Sequence, residues 1–326
     1  MTSDNSPSRS LVIANAGTLP AALRPELEEA AGYARADKAA ATRRAYKSDF
    51  ELFRSWCEKK CLSALPATPE LVAAFLAAEA KRGAKTSTIG RRLAAIRYAH
   101  KLAGYEPPTN SEAVKATLRG IRRTTGSAPA RKAPATADKI VAMADKARTD
   151  AKGLRDRALL LLGFAGAFRR SELVALNVED LQFCDTGLRV TIRKSKTDQE
   201  GLGATIPIAP GSTACPINAV RAWMKAAGIV DGPLFRPVTR TGRISGLRLS
   251  GRAVAELVKS YARRAGLNAA NFSGHSLRSG FLTSAAARGA SIFKMMDVSR
   301  HKSVDTLRGY VRDAEMFRDH AGTGLL

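Results

Sequence analysis

Near the middle of the chain, "TTGSAPARKAPATADK" (residues 124–139) sets prolines, a glycine, alanines and threonines between two long stretches of apolar periodicity. Proline removes a backbone donor and glycine loosens the backbone, so neither helix nor strand runs easily through such a segment. A chain interrupted in this way builds two cores, one on each side. At 326 residues, 45% of them apolar, it has the material for both. The implied divisions are an arm at 1–35, a first domain at 36–123, a linker at 124–137 and a second domain at 138–326.

The arm is rich in Ser, Pro, Ala and Gly and reads mostly as flexible. After it the pattern is helical. "TRRAYKSDFELFRSWCEKK" carries Tyr46, Phe50, Phe53 and Cys57 at spacings of three and four. "TPELVAAFLAAEAKRG" opens on Thr68, Pro69 and Glu70, a helix start, and stops at Gly83. "KTSTIGRRLAAIRYAHKLAG" has a polar start, a stripe of Ile89, Leu93 and Ile96, and a stop at Gly104; "NSEAVKATLRGIRR" makes a fourth helix.

Charge then narrows the partner. Lys and Arg outnumber Asp and Glu by 53 to 29, a net charge of +24, and between residues 37 and 132 the excess is more than two to one. Cations that keep returning on helices point to a basic face against phosphates, so double-stranded DNA is the expected partner. Lys85, Thr86, Ser87, Arg91 and Arg92 lie near the start of the third helix, the end that usually meets bases, and are the first candidates for the major groove. Arg43, Arg44 and Lys47 on the first helix are the second. Most such side chains touch phosphate, which positions without specifying, and others only solvate the helix.

No apolar run approaches the ~20 residues of a spanning helix, so no membrane partner is expected. The polar start "MTSDNSPSRS" lacks the apolar core of a signal peptide, which places the protein in the cytoplasm, against the nucleoid. Cys57, Cys61, Cys184 and Cys215 form no CxxC pair and have no histidines at zinc spacing. They read as reduced and structural, and no metal or cofactor is expected.

The second domain is mixed. "LRDRALLLLGFAGA" reads as a buried helix and "RRSELVALNVEDLQF" as a shorter one running into a turn. "LRVTIRKSKTDQEGLGATIPIA" alternates on both sides of a polar turn at 198–203, the mark of a β-hairpin. Helices follow at about 216–227, 250–265, 276–288, 291–297 and 303–312. The fold class is therefore mostly α: a helical domain, then a mixed α+β domain with one small sheet.

Transfer of a phosphoryl group without a metal needs cations for the nonbridging oxygens, a nucleophile in line, and an acid for the leaving alkoxide. "AFRRSEL" offers Arg169 at a helix start, beside Arg170, with Glu172 one turn on. "GHSLRSG" sets His275 and Arg278 three apart on one helix face. "RKSKTDQEG" hangs Lys196, with Lys194 beside it, at the hairpin end; "SRHKS" adds His301 and "RGY" adds Tyr310. An isolated tyrosine is far more often packing than nucleophile, but this one has Arg300, Lys302, Arg308 and Arg312 around it. His100 and His320 are left as structural or exposed.

In these residues the chain resembles the tyrosine recombinase (phage integrase) family, and within it most closely the Cre-type recombinases. Arg169, Lys196, His275, Arg278, His301 and Tyr310 match the family's ordered set, including HxxR and the nine-residue step to tyrosine. The family register favours Arg169 over Arg170 and Lys196 over Lys194. "YKSDFELFRSWC", "KTSTI…LAAIRYAH" and "NSEAVKATLRGIRR" match its core-binding domain, so the likeness spans about residues 37–326.

What the resemblance implies is DNA strand exchange by a C-shaped clamp. Tyr310 attacks a backbone phosphorus and forms a 3′-phosphotyrosyl link; Arg169 and Arg278 hold the phosphate. His275 assists proton transfer, Lys196 protonates the leaving 5′ oxygen, His301 donates to a nonbridging oxygen, and Glu172 positions its neighbours. Recombination would proceed through a Holliday junction in a homotetramer on two inverted-repeat core sites. The tail "EMFRDHAGTGLL" would dock in a neighbouring protomer. A DNA-binding protein that keeps the fold without cutting is the rival expectation. "SIFK" also offers Ser291 and Lys294 in an S-x-x-K hydrolase pattern, which is common by chance and leaves the basic first domain unexplained.

Overall fold

The computed structural model describes residues 21–126, 132–193 and 203–314. The chain divides into two compact units, Met1–Ala130 and Arg131–Leu326.

The first unit contains α1 (Arg24–Ala36), α2 (Ala40–Glu58), α3 (Pro69–Lys81), α4 (Thr86–Leu102) and α5 (Glu112–Thr125). Helix α1 lies in the segment expected to be a flexible arm. Pro25 in its first turn, Glu26 beside the N-terminal dipole and a run of Ala and Glu favour helix locally, and a compositional reading of 1–35 averages that signal away. Thr68 caps α3 by accepting from the Leu71 N–H, and Ser111 caps α5 by accepting from the Val114 N–H. The apolar stripes meet in one core: Phe53, Cys57, Val72, Phe75, Leu76, Ile89 and Ile96 are fully buried. Phe53 and Phe75 pack edge to face with centroids 4.9 Å apart. Two acids are buried with them, Asp49 and Glu79, each against arginines of the same unit.

The second unit is built around α7 (Ala151–Ala165), whose residues Leu159–Leu162 are all buried. Around it lie α6 (Ala137–Asp145), α8 (Arg170–Ala175), α9 (Pro216–Ala227), α10 (Gly251–Arg264), α11 (Ser276–Ala287), α12 (Ile292–Ser299) and α13 (Val304–Ala314). A three-stranded antiparallel sheet of β1 (Leu181–Cys184), β2 (Gly187–Ile192) and β3 (Ala204–Ile208) runs in sequence order. Val190 faces Ile206 and Leu188 faces Ile208 across β2 and β3, so the alternation read in the sequence sets this register. The tip of that hairpin lies outside the described residues. Strand β1, read from sequence as part of a turn, returns directly onto β2 with Cys184 opposite Gly187. Among the described residues, no helix is long and apolar enough to cross a membrane.

Two loci bring the scaffold to the site. Ser291 caps α12 by accepting from the Lys294 N–H, which accounts for "SIFK" as a helix start. Gly280 of α11 lets an extended segment pass close by, where the Ala135 N–H donates to Ser276 O. A Cβ on Gly280 would stand 1.8 Å from Ala135 O. Gly280→Ala is therefore expected to lower the melting temperature, with a cost of about 2 kcal/mol or more from forced backbone displacement, measured by thermal unfolding. An unchanged transition would contradict this packing.

Candidate active site

Helix α7 ends at Ala165, and a tight turn through Gly166 and Ala167 delivers buried Phe168 and then Arg169 to the start of α8. Ala167 has φ 45°, an uncommon value for a residue with a side chain. Glu172, 2% exposed, folds back on this turn: its carboxylate accepts from the Arg169 backbone N–H at 2.9 Å and from Arg169 Nη1 at 2.7 Å. The same carboxylate accepts from Arg300 Nη2 at 2.6 Å. Glu172 is thus shared between two arginines, Arg169 and Arg300.

His275 stands at the N-cap of α11, and Arg278 is in its first turn. Arg278 is 1% exposed; its Nη1 donates to Ala167 O at 2.7 Å, and its Nη2 lies 3.3 and 3.2 Å from the two ring nitrogens of His301. Burial, then the charges of Arg169 and Arg300, hold the Arg278 pKa well below its ordinary value. Partial burial, then Arg278 and Arg169, lower that of His275, which keeps an exposed edge. Among the described residues, three guanidiniums against one carboxylate leave two net positive charges. Such a cluster suits a phosphodiester gaining charge as it becomes five-coordinate.

The hydrogen bonds assign a tautomer to His301. Ser299 Oγ donates to Met295 O at 2.6 Å, so its lone pair receives His301 Nδ1–H at 2.8 Å, and Nε2 keeps its own lone pair. Burial first, then the nearby cations Arg278 and Arg169, lower the His301 pKa to about 4. Because the folded pKa lies below the unfolded ~6.5, the neutral ring favours the fold above pH ~6.5, and that contribution is lost as pH falls toward 4. Ring-nitrogen NMR is expected to show neutral Nδ1–H imidazole at pH 7 with a pKa near 4, shifted upward by inorganic phosphate. A pKa near 6.5, unmoved by phosphate, would contradict the site described here.

Tyr310 is half-buried on α13 and packs against the buried cluster of Leu282, Ala286, Met295 and Leu307. It belongs to a local core, and it lies close enough to Arg278 to act on that charge. Lys196 lies outside the described residues, as does Lys194.

The residues expected to meet DNA sort differently. Arg43, Arg44, Lys47, Lys85 and Ser87 are exposed, and Thr86 is half-buried with Oγ1 3.4 Å from Gly126 O. Arg91 Nε and Nη2 donate to the two oxygens of Asp49 at 2.6 and 3.1 Å. Arg92 departs from expectation: its side chain is 15% exposed, ion-paired with buried Glu79 and 3.8 Å from Asp49. It lies beside Leu93 and one turn past Ile89, so it borders the apolar stripe and is drawn into the helix packing. His100 is structural: Nδ1–H donates to Ile96 O at 2.8 Å, and Nε2 accepts from the Ala67 N–H at 2.9 Å.

Arg169, Glu172, His275, Arg278, Arg300 and His301 thus stand together in one electrostatic cluster of the second unit. A model of the phage integrase family matches residues 135–316, and one of the phage integrase N-terminal SAM-like domain matches residues 33–106. The chain is 39% identical over 290 residues to an integrase/recombinase xerD homolog of Selenomonas ruminantium, covering 87% of this chain and 85% of that one. It is 25% identical over 281 residues, 80% of each chain, to recombinase cre of Escherichia phage P1. Its fold is shared by the site-specific recombinase XerH in a post-cleavage complex with palindromic difH substrate, at TM-score 0.63, 15% identity and coverage of 86% and 79%. A lambda integrase dimer bound to a COC′ core site gives TM-score 0.60 at 19% identity, with coverage of 85% and 90%. The chain belongs to the phage integrase family.

Proposed function

We propose that this protein is a site-specific DNA recombinase that cleaves and rejoins duplex DNA through a covalent bond to Tyr310. The observation that carries the reading is the convergence of Arg169, Arg278, His275 and His301 on one cationic site that Tyr310 also influences. Tyr310 Oη attacks the scissile phosphorus, the P–O5′ bond breaks, and the 3′ phosphate stays on the tyrosine. His275, kept neutral at pH 7 by its surroundings, takes the phenolic proton. Lys196 supplies the proton to the departing 5′ oxygen. Arg169 and Arg278 stabilise the nonbridging oxygens, and His301 joins them once the phosphate's charge has restored its proton. The phosphotyrosyl bond keeps the energy of the broken phosphodiester, so a 5′ hydroxyl religates it without ATP.

On this reading both units contact an inverted-repeat core site, the first through Arg43, Arg44, Lys47, Lys85, Thr86 and Ser87. Two sites are joined by a homotetramer, half of whose protomers cut at a time, and exchange passes through a Holliday junction; the tail expected to dock in a neighbouring protomer lies outside the described residues. The protein works in the cytoplasm, on the nucleoid.

The test is covalent attachment. Native DNA of the source is incubated with the protein, protein-linked fragments are isolated, and their ends are sequenced. Adducts clustering at one inverted repeat are expected. Reversible binding to a defined site, with no adduct, would replace the recombinase reading with that of a silent DNA-binding protein.

A further inference from the structure

We infer that Arg300 is a positioning residue of this site, clasping the turn before Arg169 to the loop that carries His301. The inference deepens the strand-transfer reading and rests on it for its catalytic consequence. Arg300 closes α12 with φ 57° and ψ 41°, in the left-handed region. Glycine holds such a conformation without steric cost, whereas a residue with a Cβ is retained there only when its surroundings over-determine it.

The side chain supplies that determination. It is 10% exposed, and its two terminal nitrogens reach separate segments. Nη1 donates to Val298 O at 2.8 Å and to Gly166 O at 3.4 Å; Nη2 donates to Glu172 Oε2 at 2.6 Å and lies 3.5 Å from Ala167 O. Nε has no partner among the described residues, so the hold is through the terminal nitrogens alone. The guanidinium also sits 5.5 Å from the centroid of the buried Phe168 ring.

Two of these contacts, those to Ala167 O and Glu172, end on a group that also holds a catalytic side chain. Ala167 O receives Arg278 Nη1, Glu172 receives Arg169, and the next residue along from Arg300 is His301. One guanidinium therefore reaches three segments, residues 166–168, Glu172 and 298–301, and adds to the links that Arg169 and Arg278 make between them. It also takes up part of the Glu172 charge, which leaves Arg169 a stronger partner for phosphate. A planar fork suits this task, because an ammonium cannot reach several fixed acceptors at once.

The test compares Arg300→Gly and Arg300→Lys with wild type, using the full chain and a DNA fragment to which wild type attaches covalently. Glycine accepts the left-handed backbone, so Arg300→Gly removes the clasp without straining the chain. Its single-turnover attachment rate is expected to fall ~100-fold, the scale of a small misplacement of catalytic groups. DNA affinity is expected to change less than ~3-fold, as for a residue that acts only after binding. Arg300→Lys should regain roughly tenfold in rate through Glu172 alone. Equal losses in rate and affinity would make Arg300 a phosphate contact and overturn the inference, as would a glycine variant at wild-type rate. Hydrogen exchange of the Arg169 amide, read without DNA, is expected to quicken in Arg300→Gly; no change would likewise overturn the clasp. Wild type that never attaches to DNA, with the exchange effect present, would instead remove the recombinase reading and leave the clasp standing.

Discussion

Tyr310→Phe is expected to abolish covalent attachment to DNA, by at least ~10⁴-fold, while leaving DNA affinity within a few-fold of wild type. The substitution removes one oxygen. The ring stays, and with it the apolar surface packed against the cluster of Leu282, Ala286, Met295 and Leu307. The phenylalanine variant should therefore fold, melt close to wild type and still bind phosphate through Arg169 and Arg278. A free phenol has a pKa of about 10 and is a poor nucleophile at neutral pH, so activation must come from its setting. On the proposed reading that setting is the cationic cluster around Arg278, together with His275, whose pKa burial and the nearby arginines lower.

The measurement is gel retention of end-labelled DNA after denaturation, for both proteins, on the fragment that wild type selects. Loss of the retained species with unchanged binding identifies the nucleophile. Retention by the phenylalanine variant would assign the chemistry to another group. Absence from both proteins, with binding intact, would mean that these cations hold DNA without cutting it.

The helices were legible wherever apolar spacing and a cap agreed. The spacing after Pro216 predicts a helix over 216–227, and the structure forms Pro216–Ala227. Helices α1 and α6 were not, because one ends a stretch read from its Ser, Pro, Ala and Gly content as an arm and the other begins where the linker's composition fades. Strand β1 has four residues and half-buried alternation, too little for a period-two signal to stand above the preceding turn.

The site was legible to the extent that it is written as local motifs. HxxR announces itself because both residues fall in one helical turn. Ser299 and Arg300 carry no such mark. Their significance depends on a left-handed residue at the end of α12 and on the return of the chain to Ala167 and Glu172, 128 and more residues earlier. Arg92 was misplaced for the converse reason. Its own helix gives only its angle relative to the apolar stripe, while the buried Glu79 that claims it lies on α3.

Glu172→Gln is expected to be the most damaging change to the framework of the site. The carboxylate is buried and accepts from Arg169 N–H, Arg169 Nη1 and Arg300 Nη2. Glutamine matches its shape but offers one accepting oxygen and an NH₂ that points a donor at donors. It also removes the negative charge that faces Arg169, Arg278 and Arg300, three guanidiniums within one electrostatic cluster. Breaking a buried ion pair from one side costs about 3–5 kcal/mol, because the remaining charge has lost its compensation. For a domain of this size that lowers the melting temperature by about 10 °C. Attachment to DNA should fall as well, since Arg169 loses the carboxylate that fixes both its backbone and its guanidinium. A double-mutant cycle with Arg300→Met separates the charge effect from shape. If the ion pair is what matters, adding Arg300→Met to Glu172→Gln costs less than Arg300→Met alone, with a coupling of about 1–3 kcal/mol. Strict additivity would mean that Glu172 supports the turn through Arg169 alone, and that its 2.6 Å contact with Arg300 contributes little.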